Sequence, residues 1–255
     1  MATFADLAGD RERKEDHSRR DGTEQYKSMS PAHNESFVVE RAMEDPGLLS
    51  PLETECLVRV LCGKVVRETG TSSFIADFCI SAMSKERGRA FADLLITYIH
   101  QWFNKRSELL PRRVQREDHI QGSDGEAAPL YKWTAFVDFL ADLLVAMAGA
   151  GWCSLGHKSL WRVTVVAVVL CDCWDIMLRN PAYDVLEEVK CLRSSLVVAG
   201  KTAYSVAAER VEDLVAMMRG ASKSRKFPPE AQKVLIELLE LLDEKNHLKQ
   251  LLNLM

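Results

Sequence analysis

From Ser36 onward, apolar side chains recur at three- and four-residue spacing, the repeat that lays one stripe along an α-helix. The clearest run is Phe91, Leu94, Leu95, Tyr98, Ile99, Trp102 and Phe103, on a helix that the pattern starts at Ser84 and carries to about Leu109. Ahead of it, Ser36 to Met43 makes a turn or two of helix, stopped at Asp45-Pro46-Gly47. Ser50-Pro51-Leu52-Glu53 then matches a capping box, with proline at the first helical position, where its missing N–H costs nothing. That helix extends to about Arg67. Thr71, Ser72 and Ser73 can cap the next, whose stripe is Phe74, Ile75, Phe78, Cys79 and Ala82.

The second half is more apolar. Tyr131 to Ala150 is interrupted only by Lys132, Asp138 and Asp142, and Gly149, Gly151 and Gly156 end it in a turn. Ser159 to Arg179 is apolar almost all round through Val163 to Cys171, which marks a central helix. Its β-branched run also fits a strand, but its length and the later Trp174, Met177 and Leu178 favour helix. Asn180-Pro181 opens a helix over Ala182 to Gly200, and another spans Ala203 to Arg219. A basic linker over 220–229 ends in Pro228-Pro229, and a leucine-rich helix runs from Glu230 to Leu254. About eight helices with short turns and no alternating strand predict an all-α stack of helical hairpins.

Composition changes this picture at the N-terminus. Residues 1–35 hold eight acids and six bases with almost no large apolar side chains, so they are expected to be a disordered tail preceding one helical domain over 36–255. The net charge of −4 argues against binding nucleic acid through overall charge, so any RNA contact needs a local basic patch. Seven cysteines, an odd number set mostly in apolar stretches, fit reduced thiols inside the cell better than a disulfide framework. No secretory leader is visible, and the longest uncharged apolar run, Val163 to Cys171, is about half of a bilayer span. A soluble intracellular protein is the expectation.

The chain carries no Gly-rich phosphate loop, His-Glu-x-x-His or Gly-x-Ser-x-Gly, so neither an enzyme nor a cofactor is expected. Cys171 and Cys173 stand two apart on a helix and point away from each other, which suits structural thiols rather than a metal pair. Asp138 and Asp142 share one helix face, expected to be solvated. Two basic clusters are candidate contacts for phosphates or an acidic peptide: Lys105, Arg106, Arg112, Arg113 and Arg116, and Arg219, Lys223, Arg225 and Lys226. Charge runs in loops are more often plain solvated surface, and Pro111 to Pro129 reads as a mobile loop. Trp152 and Trp161 bracket the Gly-rich turn, either as an exposed anchor for a partner or as closure of the core, the commoner role of Trp at element ends.

Several stretches also share an order and spacing with a known family. They are Glu44-Asp45-Pro46-Gly47, the helix Lys132-Trp133-Thr134-Ala135-Phe136-Val137-Asp138-Phe139-Leu140-Ala141-Asp142-Leu143, and Asn180-Pro181-Ala182-Tyr183-Asp184-Val185-Leu186. Arg210-Val211-Glu212-Asp213-Leu214 and Leu235-Ile236-Glu237-Leu238-Leu239-Glu240 complete the set. Over roughly Ser36 to Asp243 the chain resembles the middle-domain family of eukaryotic translation initiation factor 4 gamma, in its small single-domain branch. The resemblance implies an α-solenoid crescent of HEAT-like antiparallel helix pairs. It also implies a non-catalytic adaptor that links mRNA-bound proteins to the translation initiation machinery, in the cytoplasm and in some cases the nucleus. Implied partners are an mRNP protein or a DEAD-box RNA helicase, with weak RNA contact and homodimerisation as further options and no membrane. No Tyr is followed five residues later by Leu, the pattern that would recruit the cap-binding protein: Tyr26, Tyr98, Tyr131, Tyr183 and Tyr204 all lack it. The alternative is a general helical scaffold for protein–protein interaction outside RNA metabolism.

Overall fold

The computed structural model describes residues 31–68, 70–85, 90–106, 129–153, 156–179 and 185–244. Among them the chain forms eight α-helices and no strand: α1 (Pro31–Glu44), α2 (Pro51–Val65), α3 (Ser72–Lys85), α4 (Ala90–Asn104), α5 (Pro129–Gly149), α6 (His157–Arg179), α7 (Val185–Ala221) and α8 (Pro229–Glu244). A 3₁₀ turn, Pro46–Leu48, joins α1 to α2, and Asp45 caps it by accepting the Gly47 N–H at 2.9 Å.

The capping box forms as its residues require. Ser50 Oγ accepts the Glu53 N–H at 3.3 Å, and Glu53 Oε2 accepts the Ser50 N–H at 2.8 Å. Glu53 also receives the Arg41 guanidinium of α1, which donates onward to the Leu48 carbonyl at 3.2 Å. One buried carboxylate therefore starts α2 and fastens α1 to it.

Packing skips alternate helices. α2 lies against α4 and α4 against α6, while α3 lies against α5 and α5 against α7. Consecutive helices also pack from α5 to α8, most extensively α6 on α7. Two layers result, one of α2, α4 and α6 and the other of α3, α5 and α7, the arrangement of a solenoid-like all-α fold. Trp133, Phe136, Phe139, Leu140, Leu143, Leu144 and Met147 of α5 are fully buried between the layers with Trp174 of α6. The Trp174 indole donates to Ser195 Oγ at 2.8 Å, and that hydroxyl donates to the Cys191 carbonyl at 2.7 Å, so the buried polar groups of α6 and α7 satisfy each other. Arg162 of α6, only 4% exposed, reaches Asp93 of α4 at 2.6 Å.

Several boundaries differ from expectation. α1 begins at Pro31, inside the stretch assigned to the tail, and residues 1–30 lie outside the described residues. Ser84 sits in the last turn of α3 rather than starting α4, because Ala82 and Met83 still belong to the buried stripe of α3. Val163 to Cys171 is helix, which removes the strand alternative, and Val168 is half-buried while Val166, Ala167, Val169 and Leu170 are buried. The two helices expected on either side of Gly200 are one run of 37 residues, interrupted only at Ala207 (φ −145°, ψ 48°). Gly200 does not stop the helix. It is buried, and a Cβ there would come within 3.1 Å of Leu196 Cδ1, one turn earlier in the same helix, so a larger residue would need that leucine to shift. Across the break, Tyr204 donates to Glu212 at 2.9 Å, and beyond it Arg210 pairs with Asp172 of α6.

Candidate docking surfaces

α5 carries three charged residues, Lys132, Asp138 and Asp142, and the two acids stand one turn apart on one face. Both carboxylates are half-buried between neighbouring helices, which corrects the expected solvated face: α3 and α7 flank α5 closely enough to shield them. Ser72 at the start of α3 donates to Asp142 Oδ2 at 2.6 Å. From α7, the Cys191 thiol donates to Asp138 Oδ1 at 3.6 Å. Burial pushes the Asp138 carboxyl up to about 6, against the hydrogen bonds from Cys191 and Ser194 and helped by the Asp142 charge. Neither acid makes an ion pair among the described residues.

The same three helices expose large apolar side chains: Phe74 of α3 at 71%, Val145 of α5, and Val197 and Val198 of α7. Val145 lies on the same face of α5 as the two acids, and shielded anionic charge with uncovered apolar area is suited chemically to a segment that carries both a cation and aliphatic side chains. The sequence signal for it was the i, i+4 spacing of the two acids on an otherwise apolar helix. Their half-burial needed the positions of α3 and α7.

A second surface is basic. Lys223, Arg225 and Lys226 are exposed in the turn between α7 and α8, and none makes an ion pair among the described residues. Arg219, counted with them from sequence, is instead paired with Asp243 of α8 at 3.1 Å. The turn is held from below: Phe227 is buried, and the Gln232 amide donates to the Ser224 carbonyl at 3.0 Å and the Phe227 carbonyl at 2.8 Å. Of the other basic cluster, Lys105 is exposed and Arg106 folds back over the Phe103 ring at 4.9 Å, while Arg112, Arg113 and Arg116 lie outside the described residues.

Trp152 is 7% exposed and closes the core, with the Arg162 guanidinium 5.9 Å from its ring, so the exposed-anchor reading is corrected for this residue. The turn after α5 tucks the indole inward, fixed by the Trp152 backbone N–H donating to the Met147 carbonyl at 3.1 Å. Trp161, on the first turns of α6, is 56% exposed.

Among the described residues no group of His, Cys, Asp or Glu could hold a metal ion. Burial raises Cys171 to about 11 and Cys62 to about 12, and puts Cys79, Cys173 and Cys191 well above an ordinary thiol. A crease between α2, α4 and α5, lined by Cys62, Tyr98, Trp102 and Phe136 among others, is apolar throughout its accessible surface. No described helix is long and apolar enough to cross a membrane. Compared with protein-family models and with curated proteins, the chain matches none.

Proposed function

We propose that this chain is a non-catalytic adaptor linking mRNA-bound proteins to the translation initiation machinery, and that it docks a cationic, amphipathic segment of a partner on the outer face of α3, α5 and α7. The observation that carries the docking is Asp138 with Asp142: two half-buried carboxylates that make no ion pair among the described residues, with uncovered Val145 one turn further along the same face of α5. A bound Lys or Arg would offset their desolvation, and the apolar neighbours would supply area. The link to mRNA rests on the family resemblance of the helix sequences. An adaptor also needs a second surface that leaves the first free, and the basic turn between α7 and α8 is of opposite charge and on other elements. Arg112, Arg113 and Arg116 are proposed to add to the basic contacts.

Affinity capture from a translating cell lysate, with and without RNase, tests this. Initiation factors and mRNA-bound proteins are expected to be retained after RNase and lost with Asp138→Lys/Asp142→Lys. Recovery only of proteins unrelated to RNA would refute the translation role and leave a general scaffold.

A further inference from the structure

The α7–α8 turn contains two serines within one basic stretch, Ser222-Lys223-Ser224-Arg225-Lys226, and the structure treats them differently. Ser222 is 8% exposed, and its hydroxyl donates to the Arg219 carbonyl at 3.1 Å, so it is closed off. Ser224 is half-buried, more open than Ser222, and its Oγ accepts the Lys226 N–H at 3.3 Å. Exposed cations stand on both sides of it, at Lys223, Arg225 and Lys226. A protein kinase whose peptide groove is lined with acids recognises a hydroxyl in that setting through charge complementarity.

We propose that Ser224 is a phosphorylation site for a basic-directed serine/threonine kinase, and that the phosphate switches the cationic turn off as a contact for an acidic protein segment. The idea rests on the reading of that turn as a docking surface. In the transfer, Ser224 Oγ forms a bond to the γ-phosphorus of ATP as the bond to the bridging oxygen of ADP breaks, and the hydroxyl proton passes to the kinase's catalytic carboxylate. The product carries about −1.5 to −2 charge beside three cations, so about half to two thirds of the local positive charge is cancelled. The new phosphate oxygens sit where the Lys226 N–H already points, and the Lys223, Arg225 and Lys226 side chains are near enough in sequence to fold onto them. Because Gln232 grips the Ser224 carbonyl rather than its hydroxyl, and Phe227 anchors the turn from inside, modification changes charge without undoing the connection.

The full chain is to be incubated with ATP and the catalytic subunit of a basic-directed kinase, and its phosphates mapped by mass spectrometry. Binding of a fluorescent oligo-glutamate peptide is then followed by anisotropy at low salt. One phosphate on Ser224, none on Ser222, no incorporation in Ser224→Ala, and peptide binding about tenfold weaker with an unchanged melting temperature are expected. Absence of phosphate from Ser224 while a control peptide is modified, or phosphorylated chain that binds like unmodified chain, overturns the proposal. A Lys223→Gln/Arg225→Gln/Lys226→Gln variant separates the two readings. If it binds the peptide as well as wild type, the turn is not a cationic docking surface. If it binds weakly but the phosphorylated chain does not, only the switch fails. Oligouridylate in place of the peptide is the second arm: phosphorylation that weakens RNA binding alone overturns the acidic-protein assignment.

Discussion

Replacing Asp138 by Asn should stabilise the protein at neutral pH and lose that advantage in acid. Burial between α5 and α7 lifts this carboxyl from an ordinary value of 3.8 to about 6, with Asp142 adding repulsion and no cation among the described residues to offset either. A shift of that size corresponds to about 3 kcal/mol between the ionised and neutral forms. The group is only partly buried, so solvent screening leaves about half, roughly 1.5 kcal/mol. Because the folded chain holds the proton more tightly than the unfolded one, stability falls as pH rises through the window from 3.8 to about 6, and above it the full cost is present. Asn keeps the shape and carries no charge. The difference in stability between variant and wild type should therefore grow by about 1 kcal/mol from about pH 4.5 to about pH 8, or about 2–4 °C in melting temperature for a chain of this size. Taking the difference between the two pH values removes any change in hydrogen bonding to Cys191 or Ser194 that is independent of pH. Matched thermal melts of both proteins measure it. A constant gap at both pH values, or an Asn variant that loses ground as pH rises, would refute the reasoning.

Val166→Asp, at a fully buried position of α6, should prevent folding or cost several kcal/mol, whereas Val168→Asp on the half-buried side should cost much less; circular dichroism melts of the two compare them directly. Glu53→Ala removes the capping-box acceptor and the Arg41 partner together, and a loss of about 1–3 kcal/mol by urea unfolding is expected, with Glu53→Gln retaining part of it through the amide oxygen.

Local signals in the sequence carried well into the structure. Ser50 and Glu53 needed nothing beyond their own turn to announce the start of α2, and the stripe placed Phe91, Leu95 and Ile99 of α4 in the core, although Ala92 and Ile96 complete the buried face while Leu94 and Tyr98 are only half-buried. Where neighbours decide, sequence reading went astray. Gly200 looks like a stop because isolated helices fray at glycine, yet Leu196 packs against it and the helix continues to Ala207, a residue with no breaking tendency of its own. Ser84 looks like a cap, but it follows residues still buried in α3. Asp138 and Asp142 were visible as a pair from their spacing, and their half-burial was not, since it depends on Ser72 and Cys191, which are 70 and 53 residues away along the chain. Trp152 could face in or out until the turn after α5 had a direction.

The thiols give the molecule a practical property. Cys56, Cys62, Cys79, Cys171, Cys173 and Cys191 are all buried, and Cys153 alone is half-buried. A maleimide dye or spin label applied to the folded wild-type chain under brief, mild conditions thus has one accessible target, with no cysteine to be mutated away first. That target follows Trp152 directly, in the bend that joins the middle helix of one layer to the next helix of the other, so a probe there would report on the joint between layers in the native sequence.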